Sequence, residues 1–528
     1  MSLLPGRFRA SSRRDLVIGA ITVVGVLGLA FAAPDDVGIL LAALAVGAGV
    51  GLLALSNPLL ALLLVFVSSF LRTAQKEFVS MEALTPAFYA MVLALALAVA
   101  QRAKQMPRLG VIEWLMTVYV VWNVLSMWLP HEYEAIDPVT GASVDVWRWI
   151  FSGVLLPIVV YVVAKSVLDD ERSVRYLLWT TVAMGAYSAW VSILQFHGPK
   201  SLVWPSYIVD SPNWKGRANG VFNQPVVNGM ILVIAFVVCL FLASRPDTKK
   251  WMRWALWGLA GLLAYSVYLT HTRAALLALV VVVGLGIVFA AGWRRAFVVS
   301  GLLGLAAVGA NASTFFSSDR SAGGVGSSNE VYDRLNIMAT SLRAIGEHPF
   351  VGIGIGRFQV YNTYEHVTWS QEIDWNRGLG IISHENELGI GAELGIPGLL
   401  MWLAILVTVF WALWRAMHDL PRDTFLGAPL ALVGGMAMTV LVVNGITVDL
   451  RVLDFASMIP FLYAGMVVGQ LDRFNAVRFT ARPGAAGGGL PGGMTPDEVS
   501  AWYDAHPRDG ADRAAGSTRG RGGLVGAP

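Results

Sequence analysis

The chain has a single cysteine, Cys239, and it lies inside an apolar run. One thiol cannot build a disulfide framework or a cysteine-based metal site within the chain. Charge is also scarce. Only 14% of the 528 residues are Asp, Glu, Lys or Arg, against about 25% in soluble domains. The net charge of +3 is too small for the electrostatic footprint of a nucleic-acid binder. No Asp-x-Asp pair occurs, so a metal-bound nucleotide-sugar site has no seat. No His, Asp and Glu cluster has metal-ligand spacing. A Walker motif is missing too, which argues against ATP-driven transport. Neither a metal nor another cofactor is expected.

What the chain has in abundance is apolar sequence. It is 56% hydrophobic, with a mean hydropathy of +0.61. Many runs are about twenty residues long, enough to cross a hydrocarbon core of ~30 Å. The expected fold is all-α, a polytopic helical bundle with about fourteen spans. Their limits read as 16–33, 37–55, 58–71, 86–100, 109–129, 150–164, 175–194, 225–243, 252–270, 274–291, 296–312, 397–414, 424–446 and 455–470.

Basic residues set the orientation. Alternate connections carry Arg102, Lys104 and Arg108; Lys165, Arg172 and Arg175; Arg245, Lys249 and Lys250; Arg294 and Arg295; and Arg415 and Arg422. These are read as cytoplasmic, with both termini inside. Ser12-Arg13-Arg14-Asp15-Leu16 looks like a twin-arginine export motif, but a second span follows at once, so a positive cytoplasmic flank is the reading taken. The organisation is then a transmembrane region over 1–312, a large extracytoplasmic loop over 313–396, further transmembrane helices over 397–470, and a disordered cytoplasmic tail over 471–528.

The long loop has structure of its own. Val331, Leu335, Met338, Leu342 and Ile345 recur at helical spacing, which predicts an amphipathic helix over 331–346. Gly346 and Pro349 end it. The run Gly352-Ile353-Gly354-Ile355-Gly356 follows. It offers backbone N–H groups to an anion or close packing against the membrane region, and close packing is preferred.

Chemistry-bearing residues fall on the expected outer side. His384 lies where the loop turns back toward the bilayer, and Ser383 is placed to cap a helix whose first turn holds His384, Glu385 and Asn386. A helix N-terminus keeps imidazole neutral, and a neutral imidazole accepts a hydroxyl proton. Glu385 and Glu387 oppose this by raising its pKa. An isolated histidine here is otherwise a structural hydrogen-bonding group. Arg217, in Asn213-Trp-Lys215-Gly-Arg217, and Arg273, at a tight turn, stand close to spans where arginine is costly. Their planar forks suit phosphate oxygens, the alternative being snorkelling to water. Lys215 is placed to assist Arg217. Arg334 is read as preceding the amphipathic helix, in a structural ion pair. Arg343, Arg357 and Arg377 are read as solvated. Tyr361, Tyr364, Trp369 and Trp375 are candidates for stacking on sugar rings. Asp449, Arg451 and Asp454 read as an ion-paired structural loop.

Together these residues resemble the O-antigen ligase and O-antigen polymerase superfamily of bacterial envelope glycan assembly. The family's ligase signature is a His, a polar neutral residue, nine residues, a Gly, two residues, then Gly, Thr or Tyr. Here His384 and Glu385 precede nine residues, Gly395, Ile396-Pro397 and Gly398. Glu385 departs from the polar neutral residue, which tilts the reading from ligase to polymerase. His348-Pro349-x-x-Gly352-x-Gly354 resembles another family segment, and Arg217 and Arg273 stand where the family places functional arginines.

The resemblance implies a metal-independent glycosyltransferase of the bacterial plasma membrane. Its donor would be a glycan on undecaprenyl diphosphate. His384 would be the catalytic base, with Arg217 and Arg273 on the diphosphate and Lys215, Arg334 and Glu385 in support. A polysaccharide repeat-unit polymerase is the first reading, and a ligase acting on a lipid or protein acceptor is the second. The partners implied are the lipid-linked donor, a glycan or lipid acceptor, membrane lipids and a candidate chain-length regulator. A flippase is the reading from another class. It would need mid-membrane ionisable residues or broken repeats, for which Glu113 and Asn123 are the only material.

Overall fold

A computed structural model describes residues 54–75, 82–106, 108–319, 324–326, 328–375 and 380–480. The two expected N-terminal spans, the arginine pair at 13–14, Arg377 and the tail beyond 480 lie outside the described residues. Within them the chain is helical, with no strand and one isolated bridge, between Ile136 and Ser143.

Fourteen helices organise the described chain. They are α1 Pro58–Phe70, α2 Leu84–Ala100, α3 Val111–Trp128, α4 Val146–Val167, α5 Glu171–His197, α6 Pro225–Ala243 and α7 Lys250–Leu269, then α8 Arg273–Phe289, α9 Arg294–Ala310, α10 Asn329–Glu347, α11 Phe358–Tyr364, α12 Asn386–Asp419, α13 Ala428–Gly445 and α14 Asp454–Thr480. Seven are long and apolar enough to cross a membrane: α3, α4, α5, α6, α12, α13 and α14. Helices α1, α2 and α8 are apolar but shorter. The expected spans 252–270 and 296–312 coincide with α7 and α9, which fall in neither group.

Local sequence explains where helices begin. Asn57 accepts the N–H groups of Leu59 and Leu60 ahead of Pro58, at the start of α1. Asp170 accepts the Ser173 N–H at 2.7 Å to open α5. Asp145 does the same for Arg148 at 3.0 Å to open α4.

Packing places α6 at the centre, with all nineteen of its residues buried. Helices α5, α7, α8, α13 and α14 pack around it. Gly465 and Gly469 of α14 lie so close to the Tyr161 and Lys165 backbones of α4 that a Cβ would come within 2.2 and 2.4 Å of their carbonyl oxygens. Small residues are what permit such an approach between helices in lipid. On the periphery, α3 and α12 expose Trp114, Val118, Trp128, Leu400, Val407 and Trp411, as helices facing hydrocarbon would.

The helix ends distinguish two sides. At the end of α4 away from Asp145, Lys165 Nζ meets Glu113 Oε1 at 2.6 Å and Asp472 Oδ2 at 2.7 Å and donates to the Arg108 carbonyl. This ties α3, α4 and α14 together. Glu113 is therefore a paired residue in the first turn of α3, not a mid-membrane carboxylate. Asn123 donates to the Tyr119 carbonyl of its own helix. The two residues offered for a flippase thus have local structural partners.

Helix α10 falls within two residues of its expected limits, and its most buried side is largely polar. The buried side carries Asp333, Asn336, Ile337, Thr340, Ser341 and Ala344. Val331 and Leu342 point outward. Leu335, Met338 and Ile345 are half-buried, and Asn336 accepts the Trp369 N–H and donates to the Asp374 carbonyl. Its amide must face inward to stitch down the following segment.

Helix α12 is broken. Gly395 has φ 71° and ψ −178°, and Pro397 follows two residues later. The carbonyls freed by the break are met from outside. The Ala392, Glu393 and Leu394 oxygens accept the Ile353 N–H, the Gly354 N–H and the Trp122 indole N–H at 2.9, 2.9 and 3.0 Å. Ile396 N–H goes to the Pro349 carbonyl at 2.7 Å. The glycine run thus spends backbone donors on a helix end, and its preferred reading as close packing is the one seen.

Candidate functional site

His384 sits in the turn before α12, not in its first turn. Glu385 is the cap residue and makes no side-chain capping bond. Ser383 does not cap the helix. Its Oγ donates to the Glu385 carbonyl at 2.8 Å and accepts the Glu385 N–H at 3.3 Å. A turn closed by its own hydroxyl outcompetes the cap. His384 is half-buried, and its Nδ1 lies 3.0 Å from the Ile382 carbonyl oxygen. A carbonyl only accepts, so Nδ1 carries a proton, and in the neutral tautomer this bond selects, Nε2 is the basic atom.

The surrounding groups fix this turn. Asn386 accepts the Leu450 N–H at 3.3 Å, which links it to the connection before α14. The Glu385 carboxyl is pushed up to about 7, first by desolvation and then by the Glu387 charge, while Arg334 pulls it down. Arg334 lies inside α10, not ahead of it, and its ionic neighbour is Glu385.

Beneath the turn lies a buried charge triad. Glu393 is fully buried and meets Arg451 Nη1 at 2.8 Å, while its other oxygen accepts the Gly356 N–H at 2.9 Å. Arg451 Nε donates to Asp449 at 2.9 Å. The two carboxylates hold the Arg451 pKa above its ordinary value despite burial. Asp449 and Arg451 are paired as expected, with Glu393 as a partner that their sequence neighbourhood did not reveal. Asp454 turns elsewhere, pairing with Arg72 at 3.2 Å and accepting the Ser69 hydroxyl at 2.7 Å.

Arg217 and Arg273 are brought together through one turn. Arg217 Nε donates to the Thr270 carbonyl at 3.1 Å and Nη2 to Thr272 Oγ1 at 2.7 Å. Arg273 follows Thr272 as the first residue of α8. The Arg217 guanidinium lies 5.0 Å from the Trp214 ring centroid. Its carbonyl accepts the Gln195 amide at 2.9 Å, and Asn228 holds the Ala218 carbonyl at 3.1 Å. Lys215 is exposed.

The geometry therefore defines two groups, His384 with Glu385 and Arg334, and Arg217 with Arg273. Two cavities flank the start of α4. The smaller, about 150 Å³, is lined by Arg72, Arg148, Phe222, Gln224 and Asp454 among others. Phe222 and Gln224 continue the Arg217 loop. The larger, about 380 Å³, is lined by Asp137, Asp145, Arg148, Trp149, Ser152, Gln359 and Arg451 among others. Arg148 borders both.

Arg72 and Arg148 were missed in the sequence. Arg148 stands between Trp147 and Trp149 at the head of a span, the setting that singled out Arg217, so the same rule would have found it. Arg72 pairs with Glu82 and Asp454, the latter 382 positions away, and no sequence pattern shows that pairing.

Other expectations are corrected. Tyr361 is fully buried in the loop core and donates to Glu347 at 2.6 Å, so it is not a stacking platform. Arg357 is not solvated. Its Nε donates to the Tyr133 carbonyl at 2.8 Å and clamps the loop to the segment before α4. Tyr364 and Trp369 are exposed. Among the described residues, no three His, Cys, Asp or Glu side chains group as metal ligands.

No curated protein matches the chain. A family model described as O-Antigen ligase matches residues 258–403, the stretch that includes Arg273, Arg334, His384 and the helix break at Gly395, and this match supports the O-antigen ligase and polymerase superfamily for the chain.

Proposed function

We propose that this protein is a membrane glycosyltransferase that moves a glycan from a polyprenyl diphosphate to an acceptor hydroxyl, as a repeat-unit polymerase. The observation that carries the reading is the anchored His384. Within the segment that matches the O-Antigen ligase model, its Nδ1 is committed to the Ile382 carbonyl, so Nε2 is the atom suited to take a proton.

The reaction balances simply. The acceptor oxygen attacks the anomeric carbon and loses its proton to His384. The bond from that carbon to the diphosphate oxygen breaks, with inversion. The polyprenyl diphosphate leaves with the electron pair and needs charge stabilisation, not a proton. Arg217, Arg273 and Arg148 are the cations for that charge. Lys215, Arg334 and Glu385 act in support, Arg334 by moderating the Glu385 carboxyl.

The site is assigned to the extracytoplasmic face of the bacterial plasma membrane. Lys165 and its partners mark the opposite end of α4, and the basic connections expected inside belong to that end. The donor would be undecaprenyl diphosphate-linked. The description of the matching family favours a second reading, a ligase acting on a lipid or protein acceptor.

Reconstitution with purified lipid-linked repeat units tests the reading. Wild type should transfer or lengthen glycan with a chelator present, and His384→Ala and Arg273→Ala should each lose at least about 100-fold in rate. Full turnover by both variants would refute the site. In cells, loss of a polymerase leaves single-repeat products, whereas loss of a ligase strands long chains on the carrier.

A further inference from the structure

We infer that the larger cavity is a carbohydrate subsite, holding the sugar ring that adjoins the diphosphate. The inference rests on the glycan-transfer reading and adds to it a place for the transferred residue.

The first observation is a hydroxyl without a partner. Ser152 is 3% exposed, lines the cavity, and its Oγ has no hydrogen-bond partner. A helical serine ordinarily bonds back to a carbonyl one turn earlier, as Ser192 does to Ser188 and Ser341 to Ile337. Ser152 makes no such bond. It lies in Phe151–Leu155, a π turn within α4, and such turns are frequent at functional sites. Gly153 holds that turn against the opposite wall, since a Cβ there would lie 2.4 Å from the Arg451 carbonyl. An orphaned buried hydroxyl is costly, and a ligand that supplies its partner removes the cost.

The second observation is the set of fixed acceptors. Asp137 Oδ1 receives the Val139 and Thr140 N–H groups, and Asp145 Oδ1 receives that of Arg148. Each carboxylate is held by one oxygen and keeps the other. Gln359 is held by its Nε2 on the Gly380 carbonyl at 2.9 Å, which leaves its Oε1. Trp149 supplies an apolar wall. A ligand that brings several O–H donors and a C–H face matches this lining, and a pyranose has both. An acyl chain would strand the carboxylates, and a second phosphate would be repelled by them.

Position completes the argument. Arg148 borders both cavities. A ring in the larger cavity would sit against Arg148, one of the cations proposed for the diphosphate.

The test is binding by the full chain in detergent. The probes are bare undecaprenyl diphosphate and the same lipid carrying glucose, galactose or N-acetylglucosamine. Wild type should bind at least one sugar-bearing lipid about tenfold tighter than the bare one. Trp149→Ala, Ser152→Ala and Gln359→Ala should each abolish that preference while binding the bare lipid as wild type does. Trp149→Phe should retain it. A wild type that binds all four lipids alike, or variants that keep the preference, would overturn the subsite and leave the diphosphate site standing. A wild type that binds none of the four would overturn both.

Discussion

Arg217 reaches across its loop to donate to Thr272 Oγ1 at 2.7 Å, one residue before Arg273. The contact aligns one guanidinium with the backbone that starts the helix bearing the other. A hydrogen bond to a charged group contributes about 1.5–3 kcal/mol. Thr272→Val keeps the shape and removes the acceptor. It should raise the donor KM about tenfold with a smaller change in kcat. Kinetics on reconstituted protein check this, and an unchanged KM would show that the bond does not hold Arg217 for substrate.

The break in α12 depends on Gly395. Its φ of 71° is unfavourable for any side chain, and a Cβ would lie 2.6 Å from the Phe350 carbonyl. Backbone strain of this kind costs about 1–3 kcal/mol, and the clash is with main chain that cannot rotate away. Gly395→Ala should lower the melting temperature in detergent and reduce transfer. An unaltered melting curve would contradict the strain.

Arg451 is shared by Asp449 and Glu393 in the buried interior. Removing one partner of a buried pair typically costs about 3–5 kcal/mol, and here two carboxylates would be left facing each other. Arg451→Ala should be strongly destabilised at neutral pH. Arg451→Ala with Asp449→Asn and Glu393→Gln should recover part of the loss, because no uncompensated charge remains. Equal stability for the single and triple variants would argue against the triad.

Glu385 gives the fold a pH dependence with a definite sign. Its carboxyl rises from an ordinary value of 4.5 to about 7, chiefly through desolvation. Between these values the unfolded chain has released a proton that the folded chain retains, so stability falls as pH rises and levels off above about 7. Glu385→Gln mimics the protonated form. Its stability relative to wild type should therefore grow between pH 5 and pH 8. Melting curves across that range check the trend, and a flat difference would exclude it.

The two arginines could be found in the sequence because guanidinium next to an apolar run is costly wherever the chain folds. His384 could be found because its spacing to Gly395 is a local pattern, and Gly395 proved to be the backbone hinge of α12. The cap at Ser383 was misjudged because two local bonds compete for one hydroxyl, and the Glu385 backbone takes it. Helix α10 was legible as an amphipathic helix, but the polar residues on its most buried side were not. Apolar periodicity assumes that the apolar side is the buried one, whereas Asn336 is drawn inward to bond the 369–374 backbone.

The length of its uncharged apolar runs marked the chain as a helical membrane protein, because a helix of about twenty residues satisfies its backbone polar groups within itself in hydrocarbon. Hydropathy could propose the spans one by one, since each depends only on its own residues. Which cations share a cavity and which carboxylates share Arg451 depended on residues tens to hundreds of positions apart. Those were settled only when close packing of α4, α12 and α14 brought their ends to one place.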